Sequence, residues 1–302
     1  MKKTASFLLK LAVSAGLLYY LFRRTDFSLL WQSFKGLSWP WFWASVISFF
    51  VFQLVSTLRW QRIAKYLGFR KNFLFFGRLY FIGVYFNTFL PGLLGGDIVR
   101  VLYLVKAGAS KSVASFSVFY DRAFGLLGAM LLLLVFLPLE GGFLPPLARQ
   151  SLLLFSAGGL LGILILVLTS RLWREKIGHE LFYTLTAVTP PLRFGELLAW
   201  GLAVQILYNI HLILLARSLG IEAEWSKFFL IIPLMGILAS LPVSLGGFGI
   251  REGTLSYFLS LLGYRPELGI ALGFLTYGVM FLGGVIGWFL YLRGERRPQE
   301  NG

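Results

Sequence analysis

Apolar residues fill ten runs, at 6–22, 39–58, 73–90, 93–105, 113–138, 150–169, 196–216, 227–243, 250–263 and 268–292, and polar residues collect in the short segments between them. A helix rises about 1.5 Å per residue, so a hydrocarbon core of roughly 30 Å needs about 20 residues. Six runs meet or approach that length. The other four, 73–90, 93–105, 227–243 and 250–263, are short or broken by Pro and Gly, and they flank two related stretches.

Residues 90–100 read L-P-G-L-L-G-G-D-I-V-R and residues 241–251 read L-P-V-S-L-G-G-F-G-I-R, with six of eleven positions identical at an offset of 151, half of the 302-residue chain. A repeat at half the chain length implies a duplicated architecture. Shifting runs 6–22, 39–58 and 113–138 by 151 residues places each on or beside another apolar run. The sequence therefore predicts an all-α polytopic membrane protein, a single transmembrane domain over 1–302. Its two halves, 1–140 and 150–292, each read as span, span, hairpin, span. That makes about six full transmembrane helices plus two re-entrant or broken helical hairpins. The alternative for each hairpin is two ordinary spans with a tight turn, ten spans in all.

Charge sets the orientation. Lys2, Lys3 and Lys10, then Arg59, Arg62, Lys65, Arg70, Lys71 and Arg78, then Lys106 and Lys111, and finally Arg293, Arg296 and Arg297 mark cytoplasmic segments under the positive-inside rule. Both termini are then cytoplasmic, and the two hairpins open from opposite faces: an inverted repeat. Arg23, Arg24 and Lys35 fall outside in this scheme, outweighed by the longer basic segment at 59–78. The one sizeable polar connection, 170–195, with Arg171, Arg174, Lys176 and Pro190-Pro191, reads as a cytoplasmic interfacial connector on anionic lipid.

Composition narrows the function. The chain is 57% hydrophobic and 14% charged, with mean hydropathy +0.76. The net charge of +15 sits mainly between apolar runs, which favours topology and anionic headgroups over nucleic acid. With no cysteine and two histidines, thiolate metal sites, a Cys nucleophile and a His-rich metal centre are excluded.

The repeated frame makes physical sense as an anion site. Pro ends the first arm, the paired glycines (Gly95 and Gly96, Gly246 and Gly247) admit close backbone approach, and the following helix presents N–H groups. Arg100 and Arg251 then offer a planar fork to a phosphate. The alternative is that the glycines serve helix packing and the arginines snorkel to headgroups. Ionisable groups within a span are costly and mark function or pairing, which singles out Asp97, Asp121, Arg122 and Glu252 for ion-pair or proton-coupling roles. An Asp121–Arg100 ion pair is one expected use. Asn87 is placed to satisfy carbonyls freed at the break, His211 to hydrogen-bond within the bundle, and Trp39, Trp41 and Trp43 to anchor at the interface.

No zinc-protease, nucleophile-elbow or P-loop motif is present, nor a pair of acidic clusters for divalent metals, so no catalytic residue, metal or cofactor is expected. Three motifs in order, N-x-x-x-P-G-x-x-G-G-D-x-x-R at 87–100, D-R-x-x-G at 121–125 and L-P-x-x-x-G-G-F-G-x-R-E at 241–252, carry a resemblance. They resemble the transmembrane region of lysylphosphatidylglycerol synthases and the stand-alone flippase-like membrane proteins of bacteria and archaea grouped with it. The resemblance implies movement of a lipid between leaflets of the cytoplasmic membrane. In the synthases that lipid is made by an attached catalytic domain, for which ten residues after Leu292 leave no room. The expectation is thus a flippase-like transporter of an anionic or phosphate-bearing lipid, a membrane phospholipid or lipid-linked cargo, with a separate lipid-modifying synthase as a candidate partner. The alternative is an integral membrane transferase or an accessory subunit of a lipid-modifying enzyme.

Overall fold

The computed structural model describes residues 2–23, 25–89, 95–169, 179–240, 244 and 247–295. These form twelve α-helices and one 3-10 turn, with no strand among the described residues. Five helices are long and apolar enough to cross a bilayer: α3 (Trp39–Tyr66), α6 (Lys111–Glu140), α7 (Pro146–Thr169), α9 (Pro191–Ser218) and α12 (Pro266–Glu295). The first predicted span is α1 (Lys2–Arg23), with an apolar stretch over Leu11–Leu21. The chain is a polytopic all-α membrane protein.

Between these lie α2 (Phe27–Lys35) and α8 (His179–Val188), and the paired shorter helices α4 (Phe73–Phe89) with α5 (Gly95–Lys106) and α10 (Trp225–Ser240) with α11 (Ile250–Leu261). The paired helices have 17, 12, 16 and 12 residues, so each is about 18–25 Å long and none reaches the roughly 30 Å of a hydrocarbon core. Pro91 and Pro242, expected to break these arms, and Gly246 lie outside the described residues, as do Arg171, Arg174 and Lys176. Of the connector expected at 170–195, residues 179–188 form α8 and residues from Pro191 open α9, because proline's fixed φ suits a first helical turn.

The element order runs through one series twice. Helices α1 to α6 have 22, 9, 28, 17, 12 and 30 residues, and α7 to α12 have 24, 10, 28, 16, 12 and 30. Part of the packing is reciprocal as well: α3 runs along α9, α4 along α12, and α6 along α10, whereas α6 also packs closely on α9 and its counterpart α12 barely touches α3. Exchanging the two series turns the α4–α12 contact into the α10–α6 contact and leaves the α3–α9 contact in place.

Lipid tails are as apolar as leucine, so close packing and polar contacts hold such helices together. A Cβ on Gly287 of α12 would stand 2.0 Å from the Phe81 carbonyl oxygen of α4, and one on Gly201 of α9 would stand 2.3 Å from that of Phe124 in α6. Gly287→Leu is expected to force α4 from α12 and cost about 1–3 kcal/mol, the usual range for overpacking. Thermal unfolding of the detergent-solubilised protein checks it, and an unchanged midpoint contradicts it.

A polar tie joins α3 to α9. The Ser45 hydroxyl donates to the His211 carbonyl at 3.0 Å, and His211 Nδ1 lies 3.0 Å from the Ser45 carbonyl and 2.8 Å from its hydroxyl oxygen. A carbonyl only accepts, so Nδ1 carries the proton, and Nε2 is a buried acceptor without a partner among the described residues. His211 is thus the bundle hydrogen-bonder expected. Ser45→Ala is expected to cost about 0.6–1.5 kcal/mol, between membrane and soluble values for one such bond, read in the same unfolding assay.

Candidate functional site

Four helices build the first charged centre. Gly96 opens α5 hard against α4: a Cβ there would stand 2.1 Å from the Gly83 carbonyl oxygen. Asn87 Oδ1 accepts the Gly96 N–H at 2.9 Å. Asn87 therefore satisfies an N–H at the start of α5, where the expectation had it serving freed carbonyls; the unpaired groups nearest it are the amides of a helix N-terminus. With α5 so placed, Asp97 and Arg100, one turn apart, both point into the bundle.

Asp121 of α6 accepts from Arg59 Nε of α3 at 2.9 Å and from Arg100 Nη2 at 2.8 Å. Asp97 accepts from Arg122 Nε at 2.9 Å and, at 3.4 Å, from Arg100 Nη1. The Arg100 guanidinium carbon stands 3.9 Å from the centroid of the Trp60 ring and 4.6 Å from that of Tyr80, so the two rings add cation–π attraction. Gly125, four residues after Asp121, leaves room for Arg59: a Cβ there would be 3.3 Å from its Nη1. The D-R-x-x-G motif thus serves one guanidinium twice, with a carboxylate and with space.

Three guanidinium groups meet two carboxylates here, a surplus of one positive charge. Arg59, Arg100 and Asp121 are buried, whereas the Arg122 side chain is 52% exposed. Arg100 is not snorkelling to a headgroup region.

The second centre is built differently. Gly247 and Gly249 take φ of +81° each, a conformation costly for residues with a side chain. The turn brings the Gly249 N–H to Glu252 Oε2 at 2.7 Å, so the terminal Glu of the motif closes its own turn. Glu252 is fully buried, and a Cβ on Gly273 of α12 would stand 2.8 Å from its Cγ.

Arg251 is 7% exposed. Its guanidinium carbon lies 4.3 Å from the Tyr277 ring centroid and its Nη1 lies 3.5 Å from Met280 Sδ. Arg251 forms no ion pair among the described residues. Arg251 Nε, Glu252 Oε1, Ser244 Oγ, Asn209 Oδ1 and His211 Nε2 are all buried polar atoms without a hydrogen-bond partner among the described residues. Most buried polar atoms in native proteins have one, so each such atom calls for an explanation.

The structure therefore brings Asn87, Gly96, Asp97, Arg100, Asp121 and Arg122 to one centre and Gly247, Arg251 and Glu252 to the other, while Gly95 is the first residue of α5. The expected Asp121–Arg100 pair is present. Arg59, Trp60, Tyr80, Tyr277 and Met280 escaped sequence reasoning. For Arg59 a signal exists: Gln53, Ser56 and Thr57 continue a buried polar face along α3 that reaches it.

A buried guanidinium backed by an aromatic ring can hold phosphate or carboxylate oxygens in a fork. Among the described residues no three His, Asp or Glu side chains gather as metal ligands. No curated protein matches the chain. The family model described as lysylphosphatidylglycerol synthase TM region matches residues 7–287, from within α1 to within α12, and so takes in both charged centres. The chain belongs to the lysylphosphatidylglycerol synthase transmembrane-region family.

Proposed function

We propose that this membrane protein moves an anionic or phosphate-bearing lipid between leaflets by alternating access, with Arg251 as the guanidinium that grips the headgroup. The observation that carries the reading is the contrast between the two arginines. Arg100 spends its charge on Asp121 and Asp97, whereas Arg251, equally buried, has an aromatic ring and a thioether but no ion-paired carboxylate among the described residues. A buried cation is expensive unless it meets an anion. The headgroup phosphate supplies that anion during transport.

The repeated helix lengths and the reciprocal packing support two inverted halves, roughly 1–140 and 150–292, that rock about the α3–α9 contact. In this reading both termini face the cytoplasm, the side of the basic segments. Gly247 of the second motif lets backbone approach the cargo, while Gly96 seats α5 against α4. Asp97, Asp121 and Arg122 hold the first centre together. Turnover is transport, with no bond made or broken.

Reconstituted protein should exchange a fluorescent anionic phospholipid between leaflets, read by its loss to a membrane-impermeant reductant, faster than protein-free vesicles and faster than a choline lipid. Protein-free rates for every lipid, or a new lipid product formed by purified protein, would favour the transferase or accessory-subunit reading instead.

A further inference from the structure

A further concentration of charge, apart from the two centres, lies where α3 meets α4. An open cleft of about 380 Å³ is lined by Arg62 and Lys65 from the last turns of α3, by Arg70 and Lys71 from the connection, and by the apolar side chains of Leu58 and Phe69. Gln61 Nε2 donates to the Lys71 carbonyl at 2.9 Å, and the Phe69 N–H donates to the Ala64 carbonyl at 2.9 Å. The connection is thereby folded back onto the helix end. Phe69 is anchored further against Phe75 and Phe76.

Four cations line this cleft, and among the described residues only Arg62 pairs with an acid, Glu196 at 3.7 Å. Lys65, Arg70 and Lys71 form no ion pair among the described residues. A segment that needed positive charge only for orientation would have no reason to fold those charges about one cavity with an apolar wall. Like charges held together repel, and a bound anion relieves that repulsion. The arginines add a fork suited to phosphate oxygens.

The surroundings say what kind of anion. Leu54, one turn before Leu58 on α3, and Leu74, at the start of α4, are 43% and 75% exposed. Apolar side chains beside a basic cleft at the end of a membrane helix match a molecule with a charged head and a hydrocarbon tail. The volume falls in the range of ordinary ligand pockets, roughly 300–1,000 Å³.

We propose that the α3–α4 cleft is a binding site for a phosphate-bearing anion, the headgroup of an anionic phospholipid, separate from Arg251 and independent of whether the protein transports lipid.

The test is native mass spectrometry of the whole protein released from nanodiscs that hold equal amounts of phosphatidylglycerol and phosphatidylcholine. Wild type should retain phosphatidylglycerol preferentially. Lys65→Gln/Arg70→Gln/Lys71→Gln should lose that retention by about tenfold or more, given the attraction each basic residue contributes at an anionic surface. Leu58→Trp, which narrows the cleft with no change of charge, should lose several-fold. Lys106→Gln/Lys111→Gln, two basic residues outside the cleft, should change it less than twofold.

Millimolar glycerol phosphate added before release identifies the source. Displacement assigns the site to the phosphate alone, and persistence assigns it to the intact lipid. Equal retention of the two phospholipids by wild type, or a loss in the Lys106/Lys111 variant as large as in the cleft variants, overturns the proposal.

Discussion

Asp121→Asn is expected to destabilise the fold by about 3–5 kcal/mol, the cost of breaking a buried ion pair from one side. The substitution is nearly isosteric, so packing contributes little to the loss. What changes is charge: Arg59 and Arg100, each with a side chain 5% exposed, both depend on the Asp121 carboxylate, at 2.9 and 2.8 Å. Without it, three guanidinium groups share Asp97 alone. Because the damage is surplus positive charge, removing one cation should repair part of it. Arg59→Gln/Asp121→Asn is therefore expected to be more stable than Asp121→Asn, with the unfolding midpoint of the solubilised protein as readout. If the double variant is the less stable of the two, the charge account of the first centre is wrong.

Arg251→Gln carries the second large effect, and it falls on transport. Arg251 forms no ion pair among the described residues, and Glu252 keeps its bond to the Gly249 N–H. Its removal thus breaks no ion pair among the described residues, and the fold should hold. Charge-assisted hydrogen bonds contribute about 1.5–3 kcal/mol, so exchange of an anionic lipid should fall by roughly 10- to 100-fold. Arg251→Lys keeps the charge but loses the fork and the flat face over Tyr277, and is expected to fall between the two.

Much of this arrangement was legible in the sequence, and the gaps have physical causes. Runs 113–138 and 268–292 appear as helices Lys111–Glu140 and Pro266–Glu295, because apolar length alone decides a span. The cost of an ionisable group within a span made Asp121 an expected partner for Arg100, and the pair is present. Arg59 was misread as part of a basic loop, since hydropathy ends a span at the first charge. The helix in fact continues to Tyr66, and the buried Asp121 holds Arg59 inside. Tyr277 and Met280 were invisible for the opposite reason: in a uniformly apolar run, a residue that faces a guanidinium looks like one that faces lipid. The two motifs also promised equal arginines. Their different neighbours come from α3, α6 and α12, far away in sequence.

The most direct test compares wild type with Arg251→Gln in one leaflet-exchange assay, with labelled phosphatidylglycerol and labelled phosphatidylcholine in vesicles of matched protein content. The account predicts fast exchange of the anionic lipid by wild type and its loss in the variant, with both proteins equally folded. Equal exchange of phosphatidylglycerol by the two proteins would contradict it.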